Sequence, residues 1–79
     1  MARKVGEIVE ELAMPIIAAQ KLELVDVEYN KEGQNWILRV FIDGEDGVSL
    51  DDCQQVSQAL SDQLDVEDPI EKSYLLEVS

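Results

Sequence analysis

Apolar residues recur every three or four positions along the first quarter of the chain. This period matches the turn of an α-helix, and it places the apolar side chains on one face with glutamates opposite. The spacing predicts an amphipathic helix over residues 3–20, whose apolar positions are Val5, Ile8, Val9, Leu12 and Ile16. Pro15 lies inside this segment and has no N–H to donate within a helix. We expect a kink there, or a break after which Pro15 opens a last short turn.

The next two segments alternate between apolar and polar residues, as strands do. Residues 22–31 predict a first strand, in which the alternation changes phase between Leu24 and Val25. That change indicates a β-bulge, or a strand start that is buried on both faces. Residues 35–43 predict a second strand, and a short polar loop makes the two a hairpin. The apolar face of the second strand consists of Trp36, Leu38, Val40 and Ile42.

A second helix is predicted after the turn at residues 44–47. Ser49 is a typical N-cap, and Asp52 three residues later completes a capping-box-like arrangement. We expect the helix to run to about Leu64, with an apolar stripe made by Leu50, Cys53, Val56, Leu60 and Leu64. Residues 65–72 contain Pro69 and predict a loop, and residues 73–79 predict a last strand.

The predicted order of elements is αββαβ, which is an α+β fold. Two amphipathic helices and three strands pack most economically in two layers, with a three-stranded sheet and both helices on one of its faces. A chain of 79 residues is one domain or a piece of a longer protein. We expect a single domain over residues 1–79.

The net charge of the chain limits the classes of partner that it can bind. Six Lys and Arg against 18 Asp and Glu give a formal net charge of −12, while 46% of the residues are hydrophobic, which argues against a disordered acidic tail. Such a surface repels phosphate, so we expect no autonomous DNA or RNA binding and no binding to anionic membranes. A basic protein is the simplest partner, and the same charge favours a monomer.

The inventory of reactive side chains excludes several kinds of site. No His and one Cys exclude a Ser-His-Asp arrangement, an internal disulfide and a thiolate zinc site within this chain. The carboxylates from Asp43 to Asp52 do not fit EF-hand spacing, and we interpret them as a solvated turn followed by helix capping. Cys53 lies in an apolar stripe, which predicts a buried, unreactive thiol. We expect no catalytic residue, no cofactor, no metal and, without an apolar span or signal peptide, a cytoplasmic location.

A few other side chains allow more than one interpretation. Asp26 and Glu28 share a strand face and could form an acid–base pair, although a solvated face is the commoner arrangement. Trp36 is predicted in the core or at its margin, with an exposed anchor for a partner as the alternative. Arg39 lies on the opposite face, where it can pair with a carboxylate on a neighbouring strand.

Several stretches together resemble the ribosome maturation factor RimP family. Leu22-Glu-Leu-Val-Asp-Val-Glu-Tyr29 and Asn35-Trp-Ile-Leu-Arg-Val-Phe-Ile-Asp43 are similar to its first two strands. The second helix of the family resembles Val48-Ser-Leu-Asp-Asp-Cys53 and residues 56–57 and 59–62. Its third strand and the approach to it resemble Asp68-Pro-Ile70 and Tyr74-Leu-Leu-Glu-Val-Ser79. The pieces occur in the family's order and cover nearly the whole chain.

The resemblance implies a cytoplasmic bacterial protein that assists maturation of the small (30S) ribosomal subunit and is not an enzyme. It implies a domain that is KH-like in general architecture, without the basic loop of KH domains. In the family, the third strand leads into a small β-barrel domain, so the chain resembles the N-terminal domain alone. The family usually has a Gly before the first strand, where this chain has Gln20 and Lys21.

An acidic factor can be steered toward strongly basic ribosomal proteins. We hypothesise that the second turn and the start of the second helix, represented by Asp43, Asp51 and Asp52, contact a basic ribosomal protein. One alternative is a structural spacer that positions the β-barrel domain without binding of its own. Another is a hydrolase, which would need two carboxylates within about 10 Å of each other in a concave site.

Overall fold

The structure, a computed structural model, describes residues 4–68, 70 and 73–79. Pro69, which the sequence placed in a loop, lies outside the described residues. The elements in chain order are α1 (Val5–Ala19), β1 (Glu23–Glu32), β2 (Asn35–Asp43), α2 (Leu50–Glu67) and β3 (Tyr74–Val78). The predicted αββαβ order and the α+β class are confirmed.

The three strands form one mixed sheet in the order β1-β2-β3. β1 and β2 are antiparallel and are joined through Gly33, whose positive φ of 61° suits the first central position of a type II′ hairpin turn. β2 and β3 are parallel, so the chain must return to the starting end of the sheet between them. α2 makes that return, and it therefore starts at the end of the sheet where β2 stops.

One face of β2 forms the floor of the core. Both helices pack on this face, as predicted, and contribute three fully buried residues each. The buried core consists of Val9, Ala13 and Ile17 of α1, Leu38, Val40 and Ile42 of β2, Val56, Leu60 and Leu64 of α2, and Ile70. Burial of this apolar surface, at about 25 cal/mol per Å², is the main force that holds the helices to the sheet.

The bulge predicted in β1 is confirmed. Leu24 pairs with Ile42, but the next pair joins Asp26 to Phe41, so Val25 is the extra residue. The bulge lets Leu24 and the later apolar residues of β1 face the helices although the sequence alternation changes phase between them. Val25 itself is 62% exposed.

The helices differ from the prediction at two points. α1 continues through Pro15, so the predicted break is wrong, because the buried residues Ala13 and Ile17 hold the helix against the sheet on both sides of the proline. The kink stays a prediction. α2 continues to Glu67 instead of ending near Leu64, and the start of the predicted loop is therefore helical. Asp68 ends the helix in a left-handed conformation with φ of 46°, just before the proline.

Two members of the predicted α2 stripe are less buried than predicted. Leu50 is 82% exposed and Cys53 is half-buried instead of buried. At 100° per residue, Cys53 lies within about 20° of Leu60, the middle of the buried stripe, whereas Leu50 lies about 80° from it. Cys53 therefore still packs against the core, and Leu50, in the first turn, faces the side of the helix.

α1 ends in a Schellman motif although no glycine is present. The N–H of Lys21 donates to the carbonyl of Ala18 (2.9 Å), and the N–H of Leu22 donates to the carbonyl of Ile17 (3.1 Å). Lys21 adopts a φ of 61°, the left-handed conformation that glycine takes most easily. The lysine therefore occupies the helix-terminal position at which glycine is most common in proteins.

Replacing this lysine by glycine should stabilise the domain. A side chain in the left-handed region costs about 1–2 kcal/mol, of which the greater chain entropy of unfolded glycine offsets a part. We expect Lys21→Gly to raise the free energy of unfolding by about 1 kcal/mol in urea titrations followed by circular dichroism. The control Lys21→Ala removes the same charge but keeps Cβ, and should not stabilise. Equal stabilisation by both variants would show that the effect comes from the loss of the lysine charge and not from the backbone conformation.

Candidate partner-binding site

Carboxylates from three elements lie at one end of the sheet. β1 begins at Glu23 and β2 stops at Asp43, and these two residues are antiparallel partners. A turn follows, closed by a hydrogen bond from the N–H of Gly47 to the carbonyl of Gly44 (3.0 Å). Together with the first turn of α2 these segments form what we call the acidic end, consisting of Glu23, Asp43, Glu45, Asp46, Asp51 and Asp52.

The turn of the acidic end needs glycine at both of its ends. Gly47 has a φ of 85°, which side chains rarely adopt. A Cβ on Gly44 would lie 3.0 Å from the carbonyl oxygen of Gly47 and 2.7 Å from Cδ2 of Leu22. The close approach keeps the turn against the start of β1. Glu45 and Asp46 therefore lie with Glu23 and Asp43 around one concavity.

The capping box predicted at the start of α2 is present. The backbone N–H of Asp52 donates to Oγ of Ser49 (3.0 Å), and the backbone N–H of Ser49 donates to Oδ2 of Asp52 (3.1 Å). Two backbone donors at the helix terminus are thereby satisfied. Asp52 is thus partly engaged in holding the helix, whereas Asp51 is exposed and lines a second, separate concavity with Gln54 and Asp62.

The structure places the three predicted binding residues at one end of the domain but not in one pocket. Asp43 is exposed, and its Oδ1 accepts a hydrogen bond from the N–H of Gly44 (2.8 Å). It lines the concavity of the turn, while Asp51 lines the other. Sequence reasoning missed Glu23, because its position opposite Asp43 depends on the hairpin register and on the extra residue of the bulge.

The arrangement of the acidic end suits attraction of a cationic surface better than acid–base chemistry. An acid–base pair needs one carboxyl group in a desolvated environment, and the four carboxylates around the turn are all exposed. Within residues 4–68, 70 and 73–79, no group of three or more His, Cys, Asp or Glu could hold a metal ion. Among the residues that the structure describes, Lys21 is the one cation lining the concavity of the turn. Few positive charges therefore offset the negative potential of the acidic end.

The sheet face that the helices leave open carries a guanidinium between carboxylates. Arg39 donates two hydrogen bonds to Glu32 (2.9 and 2.8 Å), and its Nε lies 3.6 Å from Oε1 of Glu77. The predicted cross-strand pairing of Arg39 is thus confirmed. The hydrogen bond from Arg39, aided by its charge, lowers the pKa of Glu32, and the same contact raises the pKa of Arg39. Asp26 and Glu28 share this face, opposite Phe41 and Arg39.

Aromatic rings gather at the other end of the sheet, on the helix-covered face. Trp36 is half-buried and stacks on Tyr29, with ring centroids 4.8 Å apart and an interplanar angle of 20°. Tyr74 of β3 lies in register with Trp36. Burial raises the pKa of Tyr74, and the carboxylates of Asp65 and Asp68 add to this shift. Trp36 therefore lies at the margin of the core, the first of its two predicted positions.

A shallow groove between α2 and β3 was not predicted. Its lining includes Leu50, which is exposed, and Cys53, which is half-buried, together with Ser57, Ser61 and Val78. The groove exists because β3 lies at the edge of the sheet, where α2 overhangs it. Strand order is a tertiary property, so the sequence pattern gave no sign of it.

The sequence is similar to a known family. The family model described as the RimP N-terminal domain matches residues 12–79. The chain belongs to the RimP family. This is a family of ribosome maturation factors. The match includes the later part of α1, all three strands, α2 and every residue of the acidic end. No helix in the described part of the chain is long and apolar enough to cross a membrane.

The contact between Glu32 and Arg39 should be visible in an acid titration. Because the folded-state pKa of Glu32 is lowered, the contact stabilises the fold above the unfolded-state pKa and loses this effect as the pH falls through the folded-state pKa. In Arg39→Gln we expect the pKa of Glu32, followed by NMR of its carboxyl carbon, to rise toward 4.5. The control Lys31→Gln removes a neighbouring cation on the other face of the sheet. It should change the pKa of Glu32 far less. Equal shifts in both variants would rule out a specific contact.

Asp52 belongs both to the acidic end and to the capping box, and its contribution to the stability of the domain can be measured. Asp52→Ala should lower the free energy of unfolding by about 1 kcal/mol, because it removes one half of the capping box. Asp52→Gln keeps an acceptor for the N–H of Ser49 and should retain most of that stability. Urea unfolding at pH 7 provides the comparison. A loss as large in Asp52→Gln would mean that the charge at the helix terminus, and not the cap, is what matters.

Proposed function

We propose that the chain is a non-enzymatic assembly-factor domain that acts in maturation of the small (30S) ribosomal subunit. In this proposal it works in the cytoplasm, as a monomer, by binding a basic ribosomal protein. The acidic end is the observation that carries the proposal, because six carboxylates from β1, the turn and α2 converge there. Membership of a family of ribosome maturation factors supports a role in ribosome maturation.

Electrostatics explains how the acidic end would act. Charges of one sign collected on one surface speed the encounter with an oppositely charged partner and fix its orientation. The effect extends over about 8 Å at physiological ionic strength, so it weakens as salt is added. At a net charge of −12 the same surface disfavours phosphate backbones, which supports a protein partner over RNA.

The proposal that the domain is not an enzyme rests on its side chains. The chain has no His, and its one Cys is half-buried in the groove between α2 and β3. The concave carboxylates are exposed, as described above. We propose no cofactor and no metal. We further propose that residues 1–79 are a single domain, followed in a longer protein by the β-barrel domain that the resemblance implies.

Charge reversal at the acidic end tests the proposal. The variant Asp43→Lys, Asp51→Lys, Asp52→Gln changes three carboxylates and keeps an acceptor for the capping box. The control Glu7→Lys, Glu10→Lys, Glu28→Gln changes the net charge equally on α1 and on the open face of β1. Each protein is sedimented with purified immature small subunits across a salt series.

We expect the unmodified chain to pellet at low salt and to be released as salt rises. The acidic-end variant should lose at least about tenfold in apparent affinity, whereas the control should change much less, because position matters as well as net charge. Equal losses would show that only overall charge counts. If a longer version with the β-barrel domain pellets and the chain alone does not, the domain is a structural spacer.

A further inference from the structure

The two edges of the sheet are not equivalent. On β1 the bulge at Val25 interrupts the edge, a device that hinders pairing with another strand. On β3 the pairing with β2 is regular from Tyr74 to Val78. β3 is last in the sheet order, and no strand in the described part of the chain lies on its outer side. β3 therefore offers a further strand an edge without a bulge.

Hydrogen bonds show which backbone groups of β3 face outward. The N–H of Ser79 donates to the carbonyl of Val40 (3.0 Å), and the carbonyl of Ser79 accepts from the N–H of Ile42 (2.8 Å). Since backbone groups alternate along a strand, those of residues 75 and 77 also face β2. The N–H and C=O groups of Tyr74, Leu76 and Val78 consequently lie along the outer edge. They provide a short ladder of donors and acceptors.

The groove between α2 and β3 lies directly beside this ladder. Val78 belongs to both, and the small side chains of Ser57 and Ser61 leave room next to it. Apolar surface flanks the edge on both faces of the sheet. Leu50 is 82% exposed at the groove, and Leu75 is 54% exposed on the open face. A strand added to β3 would thus place one set of alternate side chains in the groove and the other set on the open face, beside Leu75 and the carboxylate of Glu77.

The described residues that line the groove include no charged side chain, so the groove itself accepts apolar side chains. The net charge of the rest of α2 and β3 selects the other side chains of the occupant. α2 and β3 carry no Lys or Arg, and their carboxylates are Asp51, Asp52, Asp62, Asp65, Glu67 and Glu77. A second copy of the chain would bring the same carboxylates together and is disfavoured. A cationic segment would be attracted instead.

We propose that the outer edge of β3 is a strand-addition site for an extended segment of a partner protein, with Lys or Arg alternating with apolar residues. Main-chain hydrogen bonds to Tyr74, Leu76 and Val78 hold the segment, and the groove accepts its apolar side chains. Antiparallel addition is the more stable pairing. The inference rests on the proposed function, because it specifies how a basic partner is held after the acidic end has attracted it.

The test uses the peptide Lys-Val-Lys-Val-Lys-Val-Lys and the chain labelled with ¹⁵N. At saturation we expect amide hydrogen exchange at Leu76 and Val78 to slow by at least about tenfold, because a new strand protects amides that now face solvent. Exchange at Leu75 and Glu77, already paired with β2, should change little. A peptide with N-methylated valines has the same charge but lacks the donors for the ladder. It should bind at least about tenfold more weakly.

Two variants of α2 separate the groove from general electrostatics. Ser57→Lys fills the groove with a cationic side chain, and Lys is a better helix former than Ser, so the helix is retained. Gln63→Lys adds the same charge to an exposed position outside the groove. We expect the first to weaken peptide binding at least about tenfold and the second less than about threefold.

Failure of this inference is distinguishable from failure of the proposed function. Absence of peptide binding, binding with unchanged exchange at Leu76 and Val78, or equal binding of the N-methylated peptide overturns the strand-addition site. Sedimentation with small subunits that depends on the acidic end would still support the proposed function. Slowed exchange at the edge without such sedimentation would support the site and overturn the ribosomal function.

Discussion

β2 lies between the other two strands, and the burial of one of its faces governs the fold. Leu38 and Val40 are fully buried beneath both helices. Because side chains alternate along a strand, a slip of one residue in either pairing would turn a whole set of apolar side chains away from the helices. The register of β1 and β3 is thus fixed by the core. In β1 that requirement is met only with the bulge at Val25, which restores the alternation for Leu24.

The acidic end is a consequence of the same register. The pairing that buries Leu24 opposite Ile42 also brings Glu23 opposite Asp43. Like charges directly across a sheet are unfavourable, and their exposure at the end of the strands keeps that cost small. The core therefore brings together Glu23 and Asp43, a pair of carboxylates that does not itself stabilise the domain. Such a surface is understandable if its carboxylates are useful in association with a partner.

Local signals in the sequence predicted much of the fold. The strict alternation of residues 35–43 gave both ends of β2, and the phase change after Leu24 gave the bulge. Ser49 and Asp52 gave the start of α2, because a capping box is completed within four residues. The end of α2 was less predictable. No residue before Pro69 interrupts the helix, so the position of this proline in the sequence determines the length of α2.

The parts that sequence failed to predict depend on geometry beyond the local pattern. A stripe drawn by counting apolar residues included Leu50, whereas the rotation per residue places it about 80° from Leu60, the middle of the buried stripe. The groove beside Cys53 and the proximity of Glu23 to the turn of the acidic end require the strand order and register. Packing against the sheet also allowed α1 to pass through Pro15 without a break. These features follow from assembly of the elements.

The position of the single tryptophan has a spectroscopic consequence. Trp36 and Asp43 are seven residues apart on one extended strand, or roughly 23 Å at 3.3 Å per residue. The indole is stacked on Tyr29 at the margin of the core, so its emission reports on the integrity of the fold. A partner that contacts only the acidic end would leave its surroundings unchanged. Intrinsic fluorescence can therefore report unfolding of the domain without a contribution from contact at the acidic end.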